Sequence, residues 1–317
     1  MAALGLDLAQ IAAMIEPAFP GRRVLAAAPL AHGLANASYR VTLSGAERDL
    51  VLRVYVHDPA VAGKERAVTR LVGATVPVPE FLYLDATGAV GGRPYAILPW
   101  IDGEMLHDAL AAAAPDDLEQ LGHALGATLA AIARHRFAAT GTLDPDLQVR
   151  AWPEPATAFI HRCLFEGQGV ARLDDVTRQA AWRFVQANAG LVEEISGASH
   201  LVHADFRKPN ILVAYQAGAW RVTAVLDWEF CHSGTPLFDI GTLLRGDPGP
   251  GPVFERAFAA AFREHGGALP GNWRRVAQFL DLINLCDFLS RTDPPDGLIA
   301  YARRLLISTM KRWNDAW

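Results

Sequence analysis

Two stretches of the chain place polar residues directly beside apolar runs, and their combination is more specific than either stretch alone. Residues 201–213 contain His203, Asp205 and Asn210 in an H-x-D-x-x-x-x-N pattern, followed directly by an apolar strand. Asp227 comes seventeen residues after Asn210, where a second apolar run ends. A hairpin of the two runs, 211–213 and 221–226, would bring Asn210 and Asp227 to the same edge. The pattern therefore indicates a polar loop joined to a hairpin.

These residue types suit phosphoryl transfer. A carboxylate has to accept the proton of the acceptor hydroxyl, and oxygen ligands have to hold Mg²⁺ against the β- and γ-phosphates of a nucleotide. Asp205 suits the first role, and Asn210 and Asp227 suit the second. The sequence thus favours a Mg²⁺-dependent reaction with ATP or GTP as co-substrate.

The constellation resembles the aminoglycoside phosphotransferase and choline kinase group, the small-molecule relatives of the protein kinases. In that group the later aspartate is not followed by the Phe-Gly of protein kinases, and here Trp228 and Glu229 follow Asp227. The resemblance implies an α+β, bilobal protein-kinase-like fold. It would have a small antiparallel β-sheet N-lobe with one inserted helix and a larger, mainly helical C-lobe.

The coarse pattern along the chain agrees with that division. Residues 1–98 form the expected nucleotide-covering lobe, 99–103 the hinge, and 104–317 the helical lobe with the catalytic loop and the acceptor site. Short Val-, Leu- and Tyr-rich runs predict strands at 23–28, 38–43, 49–56, 81–84 and 93–98, with a helix at 64–72. Apolar residues at spacings of three and four predict helices at 118–132 and near 153–165, 175–195, 252–265, 272–290 and 296–314.

In the first lobe, Arg53 occupies the strand position where kinases usually carry a lysine. By resemblance it pairs the α- and β-phosphates and is held by Glu65, twelve residues later. An arginine fork can bind phosphate in a bidentate manner. The alternative is a surface Arg–Glu pair.

Other nucleotide contacts are also implied by the resemblance. Gly33, Asn36 and Ser38 lie in the segment that would cover the nucleotide, although that segment lacks a full G-x-G-x-x-G and could be a plain hairpin turn. Backbone groups near Leu98 and Trp100 would bind the purine edge. All five residues are therefore candidate nucleotide ligands.

Near Asp205, the resemblance suggests that Arg207 neutralises charge on the transferring group. A solvated or salt-bridged arginine is the alternative for Arg207. His203 is interpreted as a structural loop residue that hydrogen-bonds backbone, and Asp239 as a brace for the catalytic loop. Lys208 is interpreted as surface charge.

Acceptor specificity is expected from the C-terminal helices. Asp281, Asn284 and Asp287 recur at spacings of three on one helix face, where a carboxylate pair could bind an amine or several hydroxyls. A solvent-facing polar stripe is the alternative. Glu229 is a further candidate because it follows the metal-binding aspartate. An acidic cleft would favour a polycation such as an aminoglycoside, and an apolar cleft a macrolide or a lipid-like alcohol.

Bulk properties exclude several classes. A net charge of −5 argues against a nucleic-acid binder. Three cysteines, far apart and without a CxxC pair, indicate neither a disulfide framework nor a zinc site. The N-terminus is typical of an amphipathic helix and not of a signal peptide, and no membrane span is expected. We therefore expect a cytoplasmic protein whose partners are a nucleotide and a small-molecule alcohol, in an oligomeric state that the sequence does not give.

Two other functions compete with a small-molecule kinase. A nucleotide-binding pseudokinase or scaffold is suggested by Arg53 and the incomplete glycine loop. The intact set of Asp205, Asn210 and Asp227 argues against it. A true protein kinase is the third candidate, and the missing A-P-E segment after Asp227 argues against that one.

Overall fold

A computed structural model describes residues 4–30, 36–56, 58–246 and 249–313. Its contacts group the chain into two compact units. The first unit comprises Met1–Ala113, Leu143–Gln148 and Lys208–Phe230, and the second comprises Ala114–Thr142, Val149–Arg207 and Cys231–Trp317. This grouping follows packing within each unit and does not test the expected lobe and hinge boundaries, which stay predictions.

The first unit is built on a five-stranded antiparallel sheet with strand order β1-β2-β3-β5-β4. Alternate residues of β2, Tyr39, Val41 and Leu43, are buried on one face, as expected for a sheet covered on one side. A short N-terminal helix, α1, packs on that face and begins with a capping box formed by Asp7 and Gln10. The elements are α1 (Leu8–Ile15), β1 (Val24–Pro29), β2 (Asn36–Leu43), β3 (Leu50–Tyr55), β4 (Tyr83–Asp85) and β5 (Tyr95–Pro99).

One helix, α2 (Val61–Val72), is inserted between β3 and β4, as predicted. Its buried residues Ala62, Glu65, Thr69 and Val72 recur at spacings of three and four, so they share one face. Glu65 is therefore carried into the interior by the same periodicity that buries its apolar neighbours.

The predicted hairpin is also present in the first unit. Strands β10 (Ile211–Gln216) and β11 (Ala219–Val225) pair antiparallel, and a two-residue turn at Ala217 and Gly218 joins them, both with positive φ. A third strand, β6 (Glu104–Met105), pairs with β10 and leads into α3 (Leu106–Ala112). The sequence did not predict β6 because two residues carry no readable alternation.

The second unit is mainly helical. Its long helices α4 and α10 approach closely, because Gly122 and Gly126 of α4 face the backbone oxygens of Phe254 and Phe258, where a Cβ would collide. Helix α11 lies in the apolar core of the unit. The helices are α4 (Pro115–Ala133), α5 (Ala156–Phe165), α6 (Gln168–Arg172), α7 (Asp175–Asn188), α8 (Gly190–Glu193), α9 (Leu237–Leu244), α10 (Pro252–Glu264), α11 (Trp273–Ser290) and α12 (Leu298–Arg312).

Two details of the second unit differ from the sequence expectation. The helix predicted at 175–195 is two helices, α7 and α8, and the break lies beside Gly190, which has a low helix propensity. A four-stranded sheet with order β8-β7-β12-β9 was not predicted, since its strands have only two or three residues. They are β7 (Gly141–Leu143), β8 (Val149–Arg150), β9 (His200–Val202) and β12 (His232–Gly234). No helix within the described ranges combines the length and apolar character that crossing a membrane requires.

Candidate active site

In the second unit, the loop that follows β9 is braced by a buried carboxylate. Asp239, fully buried in α9, accepts hydrogen bonds from the backbone N–H groups of His203 and Ala204, each at 2.8 Å. Ala204 adopts a positive φ of 68°, a conformation that non-glycine residues rarely adopt. The two bonds hold the loop in this conformation, and the interpretation of Asp239 as a brace is confirmed.

His203 and Asp239 both serve the loop backbone. The backbone N–H of Asp205 donates to Nδ1 of His203 at 3.2 Å, which confirms the structural role predicted for His203. Burial raises the pKa of Asp239 to about 7, with a further contribution from Asp205, while the bonds from His203 and Ala204 oppose the shift.

The predicted catalytic pair is close together in the loop. Nε of Arg207 donates to the Asp205 carboxylate at 2.7 Å, and the Arg207 side chain is about one third exposed. Arg207 is thus salt-bridged to Asp205, one of the alternatives considered for it. This contact places a positive guanidinium directly beside the Asp205 carboxylate.

In the first unit, four charged residues that are distant in sequence form one cluster. Arg53 of β3 donates to the carboxylate of Asp227, and its Nη2 lies 3.4 Å from Oε1 of Glu65. Glu229 contributes a further carboxylate that acts on Arg53 electrostatically. Arg53 and Glu65 are only 8% and 4% exposed, so the surface-pair alternative for them is wrong. Burial lowers the pKa of Arg53, but Asp227 and Glu65 outweigh it and the pKa is raised.

Arg53 has hydrogen-bonding capacity that the described residues do not use. Its Nε and Nη2 are buried and make no hydrogen bond within that part of the chain, although Nη2 is within ion-pair distance of Glu65. Buried donors without acceptors are rare in native proteins and cost free energy. A phosphate group, which offers several acceptor oxygens, fits such a fork.

Asn210 and Asp227 lie at the same end of the hairpin, as predicted. The N–H of Leu226 donates to the backbone oxygen of Asn210 at 2.8 Å, so Asn210 is opposite the residue that precedes Asp227. Asp227 has a positive φ of 63°, the kind of backbone strain that concentrates at functional sites.

The donor set of these two residues fits Mg²⁺, which prefers amide and carboxylate oxygens and takes further ligands from nucleotide phosphates. Across the described residues, no group of three or more His, Cys, Asp or Glu side chains is arranged to hold a metal ion by itself. A magnesium ion at Asn210 and Asp227 would therefore depend on oxygens from a nucleotide or from water.

Glu229 lies at the rim of the same cluster. Its Oε2 accepts a hydrogen bond from Nδ2 of Asn36 at 3.2 Å. Burial raises the pKa of Glu229 to about 7; Arg53 and the bond from Asn36 oppose the shift, while Asp227 and Glu65 add to it. This carboxyl group therefore titrates near neutral pH.

The remaining nucleotide candidates occupy different positions. Gly33 lies outside the described residues. On β2, Ser38 and Asn36 stand opposite Arg53 and Tyr55 of β3. Leu98 lies on β5, opposite Val51 of β3.

Trp100 follows β5 and is engaged on several sides. Its N–H donates to the backbone oxygen of Asp49 at 2.9 Å, so this N–H is used within the unit. Its indole N–H donates to Asp102 at 3.1 Å, and the guanidinium of Arg40 lies 4.1 Å from its ring centroid. Any contact of Trp100 with a base would have to use its carbonyl group or its ring.

The predicted acceptor carboxylates on α11 each have an arginine partner. Asp281 is 7% exposed and receives bonds of 2.5–2.9 Å from Nε and Nη2 of Arg245. Asp287 is half-buried and pairs with Arg291 one turn later, at 2.9 Å. The solvent-facing alternative is wrong for Asp281, because that residue lies in the interior and its charge is neutralised there.

Three features of these sites were missed by sequence reasoning. Tyr55 is bonded to Glu65, Arg245 holds Asp281, and Lys208 is partly buried, so that burial lowers its pKa, and is not simple surface charge. A signal existed only for Tyr55, which lies two residues after Arg53 and therefore on the same face of a strand.

Comparison with known proteins shows what the chain is similar to. A model of the phosphotransferase enzyme family matches residues 26–279. Acyl-CoA dehydrogenase family member 10 of Mus musculus is 25% identical over 216 residues, which cover 66% of this chain and 19% of that protein. The chain thus spans about a fifth of the length of this curated relative.

Solved structures of two aminoglycoside phosphotransferases share the fold. APH(4)-Ia, as a thermostable mutant with ADP and hygromycin B, has a TM-score of 0.68 at 22% identity, covering 94% of this chain and 96% of that chain. APH(2")-IIIa, with GDP and kanamycin, has a TM-score of 0.74 at 18% identity, covering 95% and 98%. The GDP complex of wild-type aminoglycoside 2'-phosphotransferase-IIIa has a TM-score of 0.75 at 16% identity, covering 97% of this chain and 99% of that chain.

The fold is therefore the α+β, protein-kinase-like fold of these phosphotransferases, which confirms the predicted fold class. Because the family model covers most of the sequence, the chain belongs to the phosphotransferase enzyme family. The resemblance to this family inferred from His203, Asp205, Asn210 and Asp227 is confirmed.

Proposed function

We propose that the chain catalyses Mg²⁺-dependent transfer of the γ-phosphoryl group of ATP or GTP to a hydroxyl group of a small molecule. The observation that carries this proposal is the buried fork of Arg53, which has unused N–H donors and lies beside Asp227 at the Asn210 end of the hairpin. Membership of a phosphotransferase family supports the same reaction class.

Each residue has a defined part in the proposal. Asn210 and Asp227 would hold Mg²⁺, and the ion would neutralise charge on the β- and γ-phosphates. Arg53 donates to the phosphates through the N–H groups that make no hydrogen bond in the described part of the chain. Glu65 keeps the guanidinium of Arg53 in place. In this proposal the residues accelerate the reaction mainly by positioning the reactants and by stabilising charge in the transition state.

The acceptor side depends on the loop of the second unit. Asp205 orients the acceptor hydroxyl and takes its proton, and Arg207 offsets negative charge as the phosphoryl group moves. The brace from Asp239 supports this role, because a loop fixed at both His203 and Ala204 holds Asp205 in one orientation.

The charge of the α11 face bears on the choice of acceptor. Aminoglycosides bind as polycations, and the solved neighbours named above hold hygromycin B and kanamycin beside their nucleotides. Here Asp281 and Asp287 are each neutralised by arginine, so they offer little attraction for ammonium groups. This pairing favours an alcohol of low positive charge, and Glu229 remains the carboxylate proposed to contact it. A cytoplasmic location remains a prediction.

The decisive experiment measures nucleoside diphosphate release with Mg·ATP and Mg·GTP over a panel of alcohols. The panel contains aminoglycosides, choline, homoserine, macrolides and simple sugars, and Asp205→Asn is the control. Acceptor-dependent release by the wild type that is lost in the variant supports the proposal. Tight Mg²⁺-dependent nucleotide binding with no release for any acceptor would support the pseudokinase, and absence of nucleotide binding would exclude a kinase.

A further inference from the structure

Glu65 is held by more than Arg53. The hydroxyl of Tyr55 donates to Oε2 of Glu65 at 2.6 Å, and the backbone N–H of Trp228 donates to Oε1 at 3.3 Å. Oε1 is also the oxygen that lies 3.4 Å from Nη2 of Arg53. The two oxygens of one carboxylate thus join strand β3, helix α2 and the segment that follows Asp227.

The position of the Tyr55 hydroxyl is fixed by the packing of its ring. Tyr55 is fully buried and belongs to an apolar cluster with Ala62 of α2 and Ala96 of β5. Tyr55 also follows Arg53 by two residues on β3, so both side chains leave the same face, and the guanidinium lies 5.6 Å from the ring centroid. The ring therefore supports Arg53 while its hydroxyl reaches past it to Glu65.

The hydroxyl acts as a donor under all ordinary conditions. Burial and the carboxylate of Glu65 raise the pKa of Tyr55 well above its usual value, so the proton stays on the oxygen. A hydrogen bond from a neutral hydroxyl to a buried carboxylate is charge-assisted and fixes the carboxylate plane. Because the carboxylate cannot rotate freely, Oε1 of Glu65 stays directed at Arg53.

We propose that Tyr55 is a positioning residue that holds Glu65 so that the Arg53 guanidinium is preset to receive nucleotide phosphates. The inference rests on the proposed function, because it assigns Arg53 to the phosphates. A planar fork binds in a bidentate manner only in one orientation, so an arginine at this position depends on its brace more than a lysine would.

The test compares Tyr55→Phe with Tyr39→Phe. Both remove a buried tyrosine hydroxyl from neighbouring strands of the same sheet, but the Tyr39 hydroxyl bonds to the backbone of Leu4 and Leu6 and not to the charged cluster. Binding of Mg²⁺ with a non-hydrolysable ATP or GTP analogue is measured by calorimetry without acceptor, and the unfolding midpoint of the nucleotide-free protein is measured alongside.

We expect Tyr55→Phe to raise the Kd about 5- to 10-fold, the size of the net contribution of one typical hydrogen bond, and Tyr39→Phe to leave it unchanged. In a Glu65→Ala background the Tyr55→Phe substitution should have no further effect on the Kd, because the hydroxyl acts through that carboxylate. The Glu65→Ala background also distinguishes the lost hydrogen bond from lost packing, because lost packing at Tyr55 would weaken nucleotide binding with or without Glu65.

Two results would overturn the inference while leaving the proposed function intact: unchanged binding in Tyr55→Phe, or equal weakening in the presence and absence of Glu65. Failure of the wild-type protein to bind either analogue would remove the proposed function, and this inference with it.

Discussion

Two buried arginines, one in each unit, face carboxylates in opposite ways. Arg245, at the end of α9, directs Nε and Nη2 at both oxygens of Asp281. Arg53, on β3, also lies beside carboxylates but keeps Nε and Nη2 without hydrogen bonds in the described part of the chain. The side chains of both arginines are about equally buried, at 7% and 10% exposed.

The contrast is between an ion pair whose N–H donors are used by its carboxylate, here called closed, and one that leaves N–H donors without hydrogen bonds, here called open. A buried pair repays the cost of desolvation only when its hydrogen bonds are complete, as they are between Arg245 and Asp281. An incomplete pair such as that of Arg53 is tolerated where function requires it, because the unused donors are available to a ligand. We therefore expect changes at Arg53 to appear in nucleotide binding and turnover, and changes at Arg245 to appear in stability.

The largest effect should come from Arg53→Ala. The substitution removes the guanidinium that donates hydrogen bonds to the phosphates. We therefore expect kcat/KM for the nucleotide to fall about 100-fold or more. Steady-state kinetics at varied nucleotide concentration measure it. Arg93→Ala, which removes an exposed arginine that precedes β5 and bonds to the backbone of Val56, is the matched control. An equal loss in both variants would contradict the assignment.

The next effect should be a loss of stability in Asp281→Ala. Removing the carboxylate leaves Arg245 charged and buried, and we expect the free energy of unfolding to fall by about 3–5 kcal/mol. Denaturant titration of the nucleotide-free protein measures it. Nucleotide affinity should be retained under conditions where the variant is folded.

A double substitution sharpens that result. Arg245→Met with Asp281→Leu removes both charges and should recover most of the stability lost in the single variant, since an apolar pair needs no solvation. If the double variant were as unstable as Asp281→Ala, packing and not the unpaired charge would be the cause.

A smaller effect on the unfolding midpoint should come from Glu229, in the cluster around Arg53, and it should depend on pH. The folded-state pKa of Glu229, about 7, lies above the ordinary value of 4.5, so the folded protein binds more protons than the unfolded chain between these values. Stability contributed by Glu229 is therefore complete below pH 4.5 and is lost as the pH rises through 7. Glu229→Gln should match the wild type in unfolding midpoint near pH 5 and exceed it at pH 8. Parallel pH profiles of wild type and variant would contradict the assignment.

The smallest effect should be that of Asp287→Ala. Its pair with Arg291 is more than one third exposed on both sides, and such pairs contribute less than about 1 kcal/mol. Denaturant titration beside Asp281→Ala gives the comparison on a single helix. If Asp287→Ala lost as much free energy of unfolding as Asp281→Ala, exposure to solvent would not explain the difference expected between the two carboxylates.

Much of the fold was readable from sequence because the signals are local. The strands of the five-stranded sheet, the inserted helix and most helices of the second unit follow from periodicity within single segments. The short strands of the second sheet were missed because two or three residues carry no period, and their pairing depends on partners such as Val202 and His232, far apart in the chain.

The candidate site divides in the same way. The sequence by itself determined which residue types are available for phosphoryl transfer, because Asp205, Asn210 and Asp227 stand at fixed distances along one loop and hairpin. Only the tertiary structure decided how their neighbours are used: that Arg53 keeps open donors, that Tyr55 holds Glu65, and that Arg245 closes off Asp281. The physical reason is that hydrogen-bond satisfaction depends on which distant groups meet, and a linear pattern does not record those meetings.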